Sequence, residues 1–377
     1  MVWVFWISVA FLGYTLIGYP AMVWALSLLR KRPHQRGIIW PAISVIVAAR
    51  NEAATIASKI HNCLELDYPR DKLEIIVASD ASEDDTPEIV RSFASRGVKL
   101  VEVPDSRGKH FAQMVAYQES RGEILVFTDA SVRLEPEALQ KVVSNFSDAT
   151  VGSVSSEDKV VKEKRSWLGE GAYIQFEMWL RRMESRVGSL VGLSGSFFAA
   201  RREVCAKWHP DQSSDFFVAL HTVAGGYRAV VDPESRGHYG VTRSERTELN
   251  RKVRTIVHGL DVFFTHLGML NPFRYGLFSW QLVSHKLCRW LAPFAMLACF
   301  VSCSFLWETG LFYRLCLIVQ GTLLGGGLLA LVLRGLSQFR LFKLAGFFLL
   351  GNTATMIAWL KFCSGERYVR WEPTRRS

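Results

Sequence analysis

The chain has 377 residues, with 45 Lys and Arg against 35 Asp and Glu for a formal charge of +10, and hydrophobic residues make up 49% of it. This balance excludes a disordered polyelectrolyte and leaves room for a globular domain beside membrane segments. The basic excess gathers in membrane-flanking stretches rather than on a recognisable nucleic-acid module, so no nucleic-acid partner is expected, and the 7 cysteines form no CxxC pair and read as reduced, packed thiols.

Met1 to Leu29 carries no charged side chain, and about 20 apolar residues suffice to cross a bilayer core. Arg30, Lys31, Arg32 and Arg36 follow with no acid before Pro41, which by the positive-inside rule places that end in the cytoplasm. A cleaved signal peptide would show a basic start, a short apolar core and a small-residue cleavage site. We therefore expect a retained anchor over 1–29, with a kink at Pro20, and a basic linker over 30–40.

Residues 41–257 have ordinary globular composition. Ile43 to Ala49 is an apolar run of buried-strand type, followed by a helical stretch to Leu66 and a turn at Asp67-Tyr-Pro. Further strands are predicted over Leu73–Ser79, Val98–Val103 and Glu123–Thr128, with helices over Thr86–Ser95, Lys109–Ser120 and Pro136–Phe146. This alternation predicts an α/β domain on a mostly parallel, doubly wound sheet. Asp80 and Asp129 each end an apolar run where a turn begins, and ligands of open α/β sheets bind outside the carboxyl ends of strands, so the two carboxylates point to one cleft. Glu177 and Glu184 share one face of a helix, where ion pairs with Arg181 or Arg182 are the expected partners.

Residues 258–289 mix Trp, Phe and Tyr with His, Lys and Arg, the composition of helices lying at the headgroup level. Three uncharged segments follow, Trp290–Trp307, Leu315–Leu333 and Leu344–Leu360, each of roughly spanning length, within a membrane region 290–363. The tail 364–377 is basic; four spans would place it outside, against its charge.

In order along the chain, Ser44-Val-Ile-Val-Ala-Ala-Arg-Asn-Glu, Ser79-Asp-Ala-Ser-Glu-Asp-Asp-Thr, Gly108-Lys109, Phe127-Thr-Asp-Ala, Gly192-Leu-Ser-Gly-Ser-Phe-Phe-Ala-Ala-Arg-Arg-Glu, Ser214-Asp-Phe, Asn250-Arg-Lys-Val-Arg and Trp371-Glu-Pro-Thr-Arg resemble the membrane-bound bacterial members of glycosyltransferase family 2, which have a GT-A fold. The resemblance covers nearly the whole chain. It implies nucleotide-sugar contacts from Ala48, Arg50, Glu52 and Asp80, with Asp80 accepting from base or ribose and Lys109 offering an ammonium to the diphosphate. Asp129 is implied as ligand of a Mg2+ or Mn2+ ion, although Asp129-Ala130-Ser131 lacks the second carboxylate common in relatives. Asp215 matches the general base of an inverting transfer, with Ser214 where relatives usually carry an acid. An N-cap role for Asp215 is compatible with that. Gly192 and Gly195 suggest backbone close to the acceptor, Arg201 with Arg202 a contact to phosphate or headgroup, and Arg251 and Arg254 a partial form of the Gln-x-x-Arg-Trp motif of processive relatives.

The implied protein is a multi-pass enzyme of the cell's inner membrane, its catalytic domain cytoplasmic, transferring a sugar from a nucleoside diphosphate sugar, with UDP as first choice, to a lipid-linked or polysaccharide acceptor in surface-glycan synthesis. Its partners would be the donor, that acceptor and membrane lipids. Two other classes are a GT-A scaffold of weak catalysis in a polysaccharide-assembly complex, and a transporter. The uncharged spans lack the intramembrane charges that mark a transport path.

Overall fold

The computed structural model describes residues 1–160, 168–209, 212–239, 245–333, 336 and 339–366. Continuous apolar runs fold as strands buried on both faces: every residue of β1 (Ile43–Ala49) is buried, and β2 (Leu73–Asp80), β3 (Val98–Val103) and β4 (Ile124–Asp129) lie parallel in the order β3-β2-β1-β4. Successive side chains alternate between two cores. Val45, Val47, Val77 and Val126 meet helices Ile56–Leu64, Thr86–Ser92 and Ala138–Ser144 on one face. Ile46, Ala48, Ile76 and Phe127 meet helices Lys109–Glu119 and Ser214–Ala224 on the other. Two covered faces explain why these strands read as unbroken hydrophobic runs.

Beyond β4 the sheet becomes mixed. β5 (Arg133–Leu134), β6 (Val151–Val160), β7 (Phe197–Arg201) and β8 (Arg228–Tyr239) extend it in the order β4-β7-β6-β8-β5, with β7 antiparallel to both β4 and β6 and β8 parallel to β6. The eight-stranded result is the α/β sheet expected, with four strands beyond those read from the sequence.

Among the described residues four helices are long and apolar enough to cross a membrane: Val2–Leu29, Leu277–Phe305, Leu311–Val332 and Arg340–Cys363. The first runs through Pro20 by way of a π-helical turn, Tyr14–Gly18, which makes room for a residue that cannot donate to the preceding turn. The second starts at Leu277, well before the uncharged stretch at Trp290, and contains its own π-helical turn, Val283–Leu287. The two π turns meet: the Tyr14 and Ser284 hydroxyls are 2.6 Å apart, and Trp280 Nε1 donates to Tyr14 Oη at 2.8 Å. The aromatic-basic stretch ahead of it forms the end of a helix, Glu245–Thr265, and short turns over Leu267–Leu270 and Pro272–Tyr275. From residue 367 on, the tail, with its Trp371 motif, lies outside the described residues.

Candidate active site

The carboxyl ends of the parallel strands converge on one opening. Turns there are tight enough to force two non-glycine residues into left-handed backbone: Asn51 after β1 (φ 50) and Ala81 after β2 (φ 47). Such strain, of order 1–3 kcal/mol each, persists where the surroundings over-determine it and clusters at ligand sites. Ala48 lies opposite Asp129 in the β1–β4 register and is buried, so only its backbone faces the cleft. Glu52 turns inward, its carboxylate accepting from Thr55 and its backbone N–H donating to Thr86 at 2.9 Å.

Asp80 is fully buried. Its oxygens accept from the backbone N–H groups of Arg107 and Gly108, both at 3.0 Å, and from Ser106 at 3.2 Å, while the Arg50 guanidinium lies 3.5 Å away. In this conformation the carboxylate organises the loop that delivers Lys109, and its oxygens are spent on that loop. Gly108 takes φ 93, a backbone that a side chain would strain, and caps the helix that Lys109 begins.

Lys109 ties the site together. Its ammonium makes an ion pair with Asp129 and donates to the Gly195 carbonyl at 2.9 Å. On the other side of Gly195, a Cβ placed on that glycine would stand 3.4 Å from Asp215 Oδ2. The Ser213 hydroxyl donates to Asp215 Oδ1, so the second oxygen is the one directed at the glycine. Asp129, Lys109, Gly195 and Asp215 therefore form one constellation, assembled from β4, the β3–helix loop, the 192–196 loop and the start of helix Ser214–Ala224.

Two residues not singled out in the sequence support it. Lys59 is only 3% exposed and bridges the turn that carries Asp129, donating to Thr128 Oγ1 at 2.9 Å and the Val132 carbonyl at 2.6 Å; burial lowers its pKa. His110 Nδ1 accepts the Ser214 backbone N–H at 3.1 Å, locking the start of the Asp215 helix to the Lys109 helix. Burial, reinforced by His258, Lys109 and Arg254 nearby, holds the His110 imidazole well below its ordinary pKa, in keeping with an Nδ1 that accepts. A Lys in the middle of an apolar helical face, and a His beside the glycine-lysine pair, were the available signals.

Arg201 is not at this site. β7 runs antiparallel to β4, pairing Ile124 with Arg201, which carries the arginine to the opposite end of the sheet from Asp129. There it donates to the carbonyls of Val151, Phe146 and Asp148 at 2.8, 3.0 and 3.3 Å, and Arg202 donates to the Gly122 carbonyl at 2.8 Å. Both brace backbone and face no phosphate. Arg251 is engaged by both oxygens of Glu248, at 2.8 and 2.7 Å, whereas Arg254, one turn on, is a charged neighbour of His110.

The fit to a metal can be judged from the donors. Among the described residues no group of three or more His, Cys, Asp or Glu is placed to hold an ion. Asp129 presents a partly exposed carboxylate at the cleft, and the Lys109 ammonium already serves it as a stand-in cation. A hard divalent ion fits there as a shared guest, taking one protein oxygen and the rest from phosphates and water.

Residues 44–208 match the family model of glycosyl transferase family 2. Among curated proteins the chain is 29% identical over 222 residues to a β-monoglucosyldiacylglycerol synthase of Nostoc sp., covering 56% of this chain and 47% of that one. It is 28% identical over 176 residues to a poly-β-1,6-N-acetyl-D-glucosamine synthase of Staphylococcus epidermidis, covering 45% and 41%. The chain thus spans about half the length of the curated relatives it matches. Among solved structures, the mannosyltransferase PcManGT from Pyrobaculum calidifontis, in complex with GDP-Man and Mn2+, superposes with a TM-score of 0.75 at 25% identity over 97% of this chain and 100% of that one. The superposition takes in the apolar helices as well as the GT-A sheet, along nearly the whole chain.

Proposed function

We propose that this chain, whose residues 44–208 are a glycosyltransferase family 2 domain, transfers a hexosyl group with inversion from a nucleoside diphosphate sugar, UDP-linked as first choice, to a lipid-linked or polysaccharide acceptor. One observation carries the reading: a single glycine, Gly195, has the Lys109 ammonium on its carbonyl and the open oxygen of Asp215 beside its Cα, with Asp129 on the same ammonium. A cation for a diphosphate and a carboxylate base are thereby held on two sides of one small gap, which a side chain at 195 would fill.

In the reaction the acceptor oxygen attacks the anomeric carbon and gives its proton to Asp215 Oδ2, forming the new C–O bond. The bond from that carbon to the phosphate oxygen breaks, and its electron pair leaves on the nucleoside diphosphate. Lys109 and Arg254 supply positive charge to the departing diphosphate, while Arg50, Glu52, Asp80 and the backbone at Ala48 line the nucleoside side. A Mg2+ or Mn2+ ion held by Asp129 would add Lewis-acid neutralisation of the same phosphates. The Mn2+ in the structural neighbour's complex supports that cofactor, and the curated relatives' names, a glycolipid and a polysaccharide synthase, support the acceptor class. The Arg30–Arg36 basic run supports a cytoplasmic domain under a multi-pass membrane region, the face where a cytoplasmic nucleotide sugar is available.

A screen of nucleotide sugars against the full-length protein, reading nucleoside diphosphate release with and without Mg2+, Mn2+ and chelator, tests this. Release from one donor, dependent on an added lipid or glycan acceptor, is expected. Tight donor binding without turnover would instead support the scaffold reading, which the single metal carboxylate favours; no donor binding would end both.

A further inference from the structure

The helix Leu277–Phe305 brings three basic residues, His285, Lys286 and Arg289, to the underside of the domain. Ionisable residues in such a segment are costly and mark function unless they are paired. Two are paired: His285 reaches Glu184 at 2.6 Å and Glu177 at 2.9 Å, and Arg289 donates to Glu177 at 2.8 Å. Arg181 also lies on Glu177, at 3.5 Å, so that carboxylate is fully subscribed. Lys286, in the π-helical turn, lies beside the 192–196 loop. Its charged neighbours are Glu177, Arg181, Asp215 and Arg289, yet among the described residues it makes no hydrogen bond or ion pair, only a contact 5.0 Å over the Phe216 ring. Its Nζ would lie 3.2 Å from a Cβ on Gly192, in the same 192–196 loop that meets Asp215 at Gly195.

Depth adds a second constraint. The 29 residues of this helix span about 43 Å at 1.5 Å each, whereas a hydrocarbon core of about 30 Å takes about 20 residues. Counting back from Phe305, the core begins near Lys286, at the level of lipid phosphates on the side that carries the domain.

We propose that Lys286 is the anion subsite for the acceptor: it binds the phosphate of a membrane lipid at headgroup depth and so presents that lipid to Asp215. This rests on the transferase reading above and narrows its acceptor to a phosphate-bearing lipid. The Phe216 ring flanks the ammonium, and the absent side chain at Gly192 leaves the space beside it.

The test is equilibrium titration of the full chain in dodecyl maltoside micelles, followed by tryptophan fluorescence, with dodecyl phosphate as a monoester, a short-chain phosphatidylglycerol as a diester and dodecanol as the uncharged control. Wild type should bind at least one phosphate amphiphile about 10-fold or more tighter than dodecanol. Lys286→Met should lose that preference while keeping nucleoside diphosphate affinity, and Lys286→Arg should retain it. A monoester preference identifies a lipid phosphate as the source, a diester preference a phospholipid headgroup. A wild type without preference, or a Lys286→Met variant that keeps it, overturns the proposal. Failure of the wild type to bind any nucleoside diphosphate would overturn the transferase reading and leave the phosphate result standing by itself.

Discussion

Asp215→Asn separates chemistry from binding at almost no structural cost. The residue sits in the first turn of helix Ser214–Ala224, where exchanging an acid for an amide forfeits about 0.3–1 kcal/mol of helix-dipole interaction. The amide oxygen can still accept from Ser213. What the variant loses is the basic oxygen facing Gly195, and a positioned general base contributes roughly 10²–10⁴-fold, about 2.7–5.4 kcal/mol of barrier. The residues proposed to bind the donor, Lys109, Asp129 and Arg50, lie elsewhere. Steady-state transfer should therefore fall by at least about 100-fold in kcat. The donor dissociation constant, measured by titration, should stay within a factor of about 3, since a larger change would mean more than ~0.7 kcal/mol of lost binding. If the donor constant rises as far as kcat falls, Asp215 is a binding or capping residue and the base must be sought elsewhere.

The two arginines of the 250–254 segment should part company. Arg254→Ala should weaken nucleoside diphosphate binding by about 10-fold or more, and Arg251→Ala, its partner being Glu248, by less than about 3-fold; equal effects in titration would contradict the assignment. Arg201→Ala removes charged hydrogen bonds to three carbonyls and should cost about 2–4 kcal/mol in denaturant unfolding while leaving the donor KM of the folded enzyme unchanged; a raised KM would return Arg201 to the site. His221, stacked on Phe217 and 3.3 Å from His266, has its pKa pushed by burial from 6.5 to about 4. The unfolded chain then binds the extra proton first, so stability is full above pH 6.5 and declines as the pH falls towards 4, by roughly 1–2 kcal/mol once solvent screening at this half-buried ring is allowed for. His221→Phe should flatten that acid limb in unfolding measured at several pH values, and an unchanged slope would assign the acid sensitivity to other groups.

The parallel half of the sheet was legible because burial on both faces leaves β-branched runs that only strands of that kind need, each ending at a polar residue. The mixed half was not. β6 begins Val151-Gly-Ser-Val-Ser-Ser, with Ser153, Ser155 and Ser156 buried and their hydroxyls satisfied by tertiary partners: Ser153 accepts from Thr222 at 2.8 Å, and Ser156 donates to the Phe197 carbonyl at 2.6 Å. No local period announces such a strand. With no strand read at 197–201, nothing in the sequence showed that Arg201 lies at the opposite end of the sheet from Asp129. Asp129 was readable as a cleft residue because it ends an apolar strand run, whereas Lys109 and Asp215 were reached through the family resemblance. The inward-turned state of Asp80 was not legible, since its partners are backbone N–H groups of a loop. Glu177 and Glu184 were read as local pairs on their own helix. Arg181 does pair with Glu177, but Arg182 goes to Glu157, and both glutamates are also bound by His285, a hundred residues away in sequence.

That long-range network bears on what the apolar helices do. The Tyr19 hydroxyl, from the first apolar helix, donates to the same Glu184 oxygen that meets His285, so one buried carboxylate joins both apolar helices to helix Leu168–Val187 of the domain. Packing by apolar side chains would hold these helices as firmly, since buried ion pairs recover little net free energy over hydrophobic contacts. What directional bonds add is register: a helix that slid by one turn, about 5.4 Å, would break the contacts of His285 and Arg289 together. The same slide would carry Lys286 away from Gly192. In a transporter, charges would be spread along the spans to form a path. Here the basic residues of Leu277–Phe305 lie within its first turns and face the domain. On the proposed function, this arrangement favours apolar helices that fix the height of the candidate site over a bilayer, and it predicts that binding of the acceptor, rather than of the donor, depends on them.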